Sequence, residues 1–220
     1  MGPAHIQPAL RSRVDRLVSL YAPVFTAIYD PLLAWGERTG MRDLRRDVLS
    51  GATGEVLELG AGTGLNINAY PPTVASLTLT EPEASMVKRL QRFGGHPRVV
   101  QAGAEDLPFD ENAFDTVVST LVLCTVEDPD QALREVRRVL RPGGRLLLIE
   151  HVRSSRPRLA RIQDRLHRPW RAIGYGCNCN RDTIEALRNA GFDTTALRDA
   201  RWRRMPAIVR PLIAGSAQAA

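Results

Sequence analysis

One stretch of this chain constrains its fold more than any other. Residues 56–66 read Val-Leu-Glu-Leu-Gly-Ala-Gly-Thr-Gly-Leu-Asn. An apolar run of strand character stops at Leu59, and Gly60, Gly62 and Gly64 follow at alternate positions. Glycine takes positive φ at little steric cost and lets a ligand come close to main-chain atoms. The reading is a strand that ends at a tight, backbone-lined turn and feeds a helix. In an open parallel sheet such a turn lies at the carboxyl ends of the strands, where ligands collect.

The remaining chain supplies that sheet. Residues 55–59, 76–80, 98–101, 114–119 and 145–152 are strand candidates rich in Val, Leu and Thr. Residues 65–70, 84–93 and 130–140 have helical spacing, and Pro142-Gly143-Gly144 turns the chain after the last of them. Strand alternating with helix predicts an α/β architecture, a doubly wound and mostly parallel sheet with helices on both faces. Beyond residue 152 a helix is expected over 158–173. Leu159, Ile162, Leu166, Trp170 and Ile173 form its apolar stripe, and Arg158, Arg161, Arg165 and Arg168 lie off it. A second helix over 181–190 is expected to be capped by Asn180 and stopped by Gly191. Two closing strands, 192–197 and 207–215, bring the sheet to seven, and 215–220 reads as a small-residue tail. In the first fifty residues Leu10, Val14, Leu17 and Val18 share one helical face. Val24, Ile28, Leu32 and Trp35 share another, kinked at Pro31. The expected division is a helical cap over the active site at 1–50 and a ligand-binding domain at 51–220, with 153–191 as an acceptor-side helical insertion.

The glycine turn has an acidic partner. Glu81 ends the second strand, 17 residues after Gly64, where a carboxylate can accept hydrogen bonds from both hydroxyls of a ribose. Nicotinamide folds combine the same elements, but with a G-x-G-x-x-G turn whose helix faces a pyrophosphate. Here the spacing is G-x-G-x-G and Glu58 precedes it. That charge repels a pyrophosphate and welcomes a sulfonium or ammonium.

Further strings extend the pattern. Gly103-Ala104-Glu105-Asp106-Leu107-Pro108-Phe109 follows the third strand, Phe114-Asp115-Thr116-Val117-Val118 forms the fourth, and Leu140-Arg141-Pro142-Gly143-Gly144 precedes the fifth. In this order the motifs resemble the class I S-adenosylmethionine-dependent methyltransferases, small-molecule branch, over nearly half of the chain. The resemblance implies a Rossmann-like fold and S-adenosyl-L-methionine as cofactor, released as S-adenosyl-L-homocysteine. It implies that Glu58, Gly60, Ala61, Gly62, Thr63, Gly64 and Asn66 surround the methionine end of the cofactor. Glu81 would bind the ribose and Pro82 border the adenine; Ala104 and Glu105 would contact the adenine, and Thr120-Leu121 would lie near the methionine moiety.

A closer resemblance follows from Asn66…Tyr70-Pro71-Pro72, from Thr120-Leu121-Val122-Leu123-Cys124, from Ile149-Glu150-His151-Val152 and from Pro169-Trp170-Arg171-x-Ile173-Gly174-x-Gly176-Cys177. With Val209-Arg210-Pro211-x-x-x-Gly215 these are similar to the membrane-associated mammalian thiol S-methyltransferases of the methyltransferase-like family and their bacterial relatives. Those enzymes carry an apolar N-terminal anchor, whereas this chain starts with an amphipathic stretch holding Pro, Arg and Asp. The implied reaction is in-line displacement at a sulfonium methyl by a heteroatom of a small apolar acceptor, with thiol sulfur preferred. Methylation of a phospholipid head group or quinone precursor is the alternative enzyme reading, and a non-catalytic cofactor-binding protein the alternative outside catalysis. A thiol attacks as thiolate. His151, just past the fifth strand, is the expected proton acceptor, since an unperturbed imidazole titrates near neutrality. Trp170 and His167 are the expected substrate-binding residues.

Charge and cysteine usage narrow the partners. Residues 1–140 hold 14 basic and 18 acidic side chains, residues 141–220 hold 16 and 6. No reading helix or aromatic interleaving accompanies the basic half, so nucleic acid is not expected. Peripheral membrane contact is not favoured, and a monomer or homodimer with a small-molecule acceptor is the expected state. Cys124, Cys177 and Cys179 lack the spacing of a zinc knuckle, so no metal is expected. Without a signal-like start, reduced thiols and a cytoplasmic location are expected.

Overall fold

Among the described residues, alternating apolar side chains place eight strand segments in one sheet, with helices packed on both of its faces. A computed structural model describes residues 36–93 and 97–219. The helical faces expected at 10–35, with the kink at Pro31, lie outside the described residues. Strands β1 (Gly54–Leu59), β2 (Val74–Thr80), β3 (Arg98–Val100), β4 (Phe114–Thr120) and β5 (Leu140–His151) are parallel, and β8 (Pro211–Ala219) runs antiparallel to β5. The strand order is β3-β2-β1-β4-β5-β8-β6. Segments β6 (Phe192–Asp193) and β7 (Leu197–Arg201) pair with β8 in succession, Asp193 opposite Gln218 and Leu197 opposite Gly215. They are two pieces of one interrupted edge strand, which reconciles eight segments with the seven strands expected.

The alternation divides the core. Leu57, Leu59, Val117, Leu146 and Leu148 face helices α3 (Pro129–Val139) and α5 (Thr183–Asn189). Val56, Val118, Leu147 and Ile149 face helix α1 (Arg42–Leu49), which buries Val48 and Leu49. Helix α2 (Ala84–Leu90) sets Leu90 against Leu79. Pro129 opens α3, and the Asp128 carboxylate accepts from Gln131 N at 2.9 Å, the cap expected of an Asp before a first-turn proline.

Several expectations needed correction. The helix expected over 65–70 shrinks to a single 3-10 turn, Ile67–Ala69. Pro71 is the cause: it drives the preceding residue out of the α region, and Tyr70 is extended at ψ 137°. Asp182, not Asn180, caps α5, accepting from Glu185 N at 3.1 Å, while Asn180 donates to Asp164. Residues 207–209 form a 3-10 turn, and the strand begins later, at Pro211. The small-residue tail belongs to that strand, with Ala217 fully buried opposite Leu146. Helix α4 (Pro157–Ile173) buries Ala160 and Gln163; of its expected stripe Leu159 and Trp170 are half-buried, while Ile162, Leu166 and Ile173 are exposed. The Gln163 amide docks the helix: its two N–H groups are shared among the carbonyls of Val152, Cys179 and Ile208, and its oxygen accepts from Ser154 N at 2.7 Å.

Candidate active site

The sheet order reverses between β1 and β4, and the glycine turn lies at the carboxyl end of that crevice. Gly60, Gly62 and Gly64 all take positive φ, at 51°, 57° and 87°. Two of them are closed in. A Cβ at Gly60 would meet Val122 Cγ2 at 2.8 Å, and one at Gly64 would meet Phe93 Cε2 at 2.8 Å. Gly62 differs: a Cβ there would find nothing nearer than 3.9 Å. The loop therefore presents a bare backbone cradle at Gly62, an observation that fits a ligand laid against the main chain.

The loop is held by its neighbours. Ala61 N donates to Thr80 O at 2.9 Å and Gly64 N to Ala61 O at 3.0 Å. The buried Glu81 carboxylate accepts from Gly62 N at 2.9 Å on one oxygen and from Glu83 N at 2.9 Å on the other. Burial raises its pKa, only partly offset by these two amides. A carboxylate has lone pairs to spare beyond two amides, so the position remains suited to ribose hydroxyls. Pro82, beside it, is exposed, and its carbonyl accepts from Gln101. After β3, Ala104 is buried, and Glu105 accepts from Glu127 N at 2.9 Å, tying the third strand's loop to the start of α3.

Glu58 has a different setting from the one expected. It is buried beneath the turn, where Tyr70 Oη donates to Oε2 at 2.5 Å and Asn66 Nδ2 donates to Oε1 at 2.9 Å. Asn66 also donates to Thr120 Oγ1 at 3.1 Å and accepts from Arg45 Nη1 at 2.8 Å. Arg45 in turn pairs with Glu37 at 3.1 Å. Burial pushes the Glu58 pKa up to about 7 against the opposing bonds from Tyr70 and Asn66. The carboxyl is a structural hub that ties α1 to the glycine turn, and its charge is spent inside the protein. Thr63 is buried in the same turn.

After β4 the chain makes a second tight loop. Leu121 has φ 60°, and its N donates to Ile149 O at 2.8 Å. The buried Glu150 carboxylate collects Ser119 Oγ and the backbone N–H groups of Val122, Leu123 and Cys124. Sequence reasoning did not give Glu150, Tyr70 or Arg45 these roles. The available signal for Glu150 was an acidic residue embedded in the apolar run that ends β5.

His151 lies on the opposite side of β5 from Glu150. Its ring is buried and stacks on Trp202 at 5.7 Å, with Nδ1 unpartnered. Burial pushes its pKa down to about 4, against weaker support from the backbone at Pro211 and Val209. The imidazole is neutral at pH 7. An ordinary thiol near pKa 8.5 would yield its proton to such a ring only at a cost of roughly 6 kcal/mol. The strong-base role expected of His151 does not suit this environment. Trp170 packs with Leu121, Met205, Cys124, Cys177 and Cys179 in one apolar cluster, so Cys124 and the other two thiols, at least 53 residues further along the chain, meet at the loop after β4. His167 stays apart on α4, its Nδ1 paired with Asp164 O at 2.8 Å. Tyr175, just past α4, reaches across to Glu83 at 3.2 Å. A groove of about 910 Å³ lies elsewhere, at the amino ends of the strands along residues 74–78 and 108–114.

Comparison with known proteins agrees with this geometry. A family model described as a methyltransferase domain matches residues 57–148. Human thiol S-methyltransferase TMT1B is 37% identical over 202 residues, covering 86% of this chain and 82% of the relative. A Thermotoga maritima structure described as an S-adenosylmethionine-dependent methyltransferase, possible histamine N-methyltransferase, superposes with a TM-score of 0.67 at 20% identity, covering 90% of this chain and 96% of the other. Burkholderia thailandensis 1,6-didemethyltoxoflavin-N1-methyltransferase, solved with S-adenosylhomocysteine, has a TM-score of 0.65 at 17% identity, covering 100% and 93%. These two likenesses carry the fold; the human relative carries the family. The chain is thus a member of the class I S-adenosylmethionine-dependent methyltransferases, in the family that includes human thiol S-methyltransferase TMT1B.

Proposed function

We propose that this chain binds S-adenosyl-L-methionine at the Gly62 cradle and transfers its methyl group to a heteroatom of a small apolar acceptor, thiol sulfur first. When bound, the cofactor supplies a methyl on cationic sulfur whose leaving group is a neutral thioether. The observation that carries the reading is the open backbone at Gly62 beside Glu81, between two glycines whose space is filled. Glu81 would take the ribose hydroxyls, and Ala104 and Glu105 would border the adenine. Thr120 and Leu121 would stand at the methionine end, held by Asn66 and Glu150.

Leu121, Trp170 and Met205 pack against one apolar cluster, and as a wall on the acceptor side they would exclude water from the reacting centre. The protein's task there is alignment, with nucleophile and methyl about 3–3.5 Å apart. The acceptor sulfur's electron pair forms the new bond, the old sulfur–carbon pair stays with the leaving thioether, and the thiol proton leaves beforehand to water. The buried, neutral His151 ring would brace the end of β5 against Trp202 rather than take that proton.

A radiolabelled-methyl assay against a panel of thiols, phenols and amines tests this. Transfer to apolar thiols ahead of the others is expected. Transfer to phenols or amines alone would overturn the sulfur preference, and cofactor binding with no transfer to any of them would make the chain a binding protein.

A further inference from the structure

The large hydrophobic side chains exposed among the described residues are three, and all lie on α4: Ile162 at 47%, Leu166 at 44% and Ile173 at 74%. Their spacings of four and seven put them on one line along the helix. Pro169 falls on the same line and is exposed too. Beside this stripe run Arg158, Arg161, Arg165 and Arg168, all exposed, on the side away from the body. The helix is fastened to the protein from its other side, by Ala160 and the fully buried Gln163. Its outward face is therefore half aliphatic and half guanidinium. Asp164, the helix's acidic residue, is paired with Arg153 at 2.9 Å. The adjoining loop adds exposed Arg203 and Arg210.

We propose that this outward face of α4 is a docking surface for an anionic lipid bilayer, lying in the plane of the head groups. An aliphatic stripe gains free energy only by leaving water, and a flanking arginine row gains it only against negative charge. A bilayer with acidic head groups offers both at the depth an amphipathic helix occupies, with the arginine stems reaching out to the phosphates. A second copy of the chain would bring one arginine row against another. A nucleic acid would satisfy the charge and leave the stripe wet.

The location matters for the site. The segment following α4 lies over the loop after β4: Asn178 N donates to Cys124 O at 2.7 Å, and Tyr175 touches Glu83. A helix resting on a bilayer thus leads directly to the mouth of the candidate active site. The docking surface stands independently of the proposed methyl transfer; only its consequence, that apolar acceptors arrive from the lipid phase, rests on that reading.

The test is sedimentation of the full chain with vesicles of phosphatidylcholine, with and without phosphatidylglycerol. Binding is expected to the anionic vesicles and to weaken with added salt. Leu166→Gln with Ile173→Gln should reduce that binding about tenfold or more, from the aliphatic area left in water. Arg165→Gln with Arg168→Gln should reduce it by a comparable factor, by about fivefold per charge removed. Both pairs are exposed, and unchanged melting temperatures will confirm that folding is intact. Absence of binding to anionic vesicles by the parent chain overturns the proposal. So does binding that neither pair alters, or a dimer that the Leu166 and Ile173 changes dissociate. Loss in both pairs with an unchanged oligomeric state sustains it.

Discussion

The two halves of the crevice are built on opposite principles. On the half proposed for the cofactor, around β1, β2 and β4, polar groups are bonded in a continuous chain: Glu37 to Arg45, Arg45 to Asn66, Asn66 to Glu58 and Thr120, Tyr70 to Glu58. On the half proposed for the acceptor, around the end of β5, α4 and the loop before β8, buried nitrogens are left over. His151 Nδ1 and Trp202 Nε1 have no partner, and Trp170 Nε1 has only the Cys177 thiol beside it. Satisfied buried networks rigidify a site, whereas orphaned donors cost stability until something binds them. The contrast teaches that one half is held rigid by satisfied bonds, whereas the other carries unsatisfied nitrogens within its apolar packing, Trp202 Nε1 against Gly36 and Trp170 Nε1 against Gly174.

The comparison breaks first where the network is cut. Arg45→Met leaves Glu37 and Asn66 buried without their cation and should cost about 4 kcal/mol in a denaturant titration. A loss under about 1 kcal/mol would mean that α1 is not tied to the glycine turn. Next comes Glu58. Its folded pKa of about 7 exceeds the ordinary 4.5, so between those values the folded chain holds a proton that the unfolded chain has lost. Stability from this group falls as pH rises through that window, by about 3 kcal/mol. Glu58→Gln should remove that fall, and paired pH–stability curves that stay parallel from pH 4.5 to 7 would refute it. His151 has the reverse sign. With a folded pKa near 4 against 6.5, it makes stability rise between those values, and His151→Asn should flatten that rise, again by about 3 kcal/mol. Smaller still is Gly62→Ala. At φ 57° in open space the methyl should cost about 1 kcal/mol of stability while filling the cradle. Calorimetry should then find S-adenosylhomocysteine binding reduced more than the stability. Trp170→Phe should matter least to the fold, within about 1 kcal/mol, because a half-exposed ring gives up a donor that was unsatisfied; its effect should appear in the acceptor's KM.

The cofactor half was legible in the sequence because it is written in backbone terms. Three alternating glycines after an apolar run have few conformational meanings, and a carboxylate at the end of the next strand has fewer still. What those residues do to one another was not legible. Glu58 read as a charge for the ligand because its partners, Tyr70 and Arg45, come from segments whose approach only the folded chain reveals. The acceptor half was read less well for a related reason. On α4 the spacing gave one apolar stripe but not which part of it meets the body: Gln163, whose amide meets three carbonyls, docks the helix and leaves Ile162, Leu166 and Ile173 outward. The tail at 215–219 read as low complexity because alanine and serine carry little strand signal, but a strand squeezed between β5 and the edge pieces needs small side chains. Proline was the reverse case: Pro71 marked the end of a helix that spacing alone had extended.

Everything on the cofactor side turns on Glu81 and the bare backbone at Gly62 forming one nucleoside site. Isothermal titration of S-adenosylhomocysteine into the parent chain and into Glu81→Ala tests this most directly. The account predicts binding to the parent and at least about a tenfold loss in the variant, the worth of charge-assisted bonds to two hydroxyls. Equal affinity in both, or no heat of binding in the parent, would contradict it.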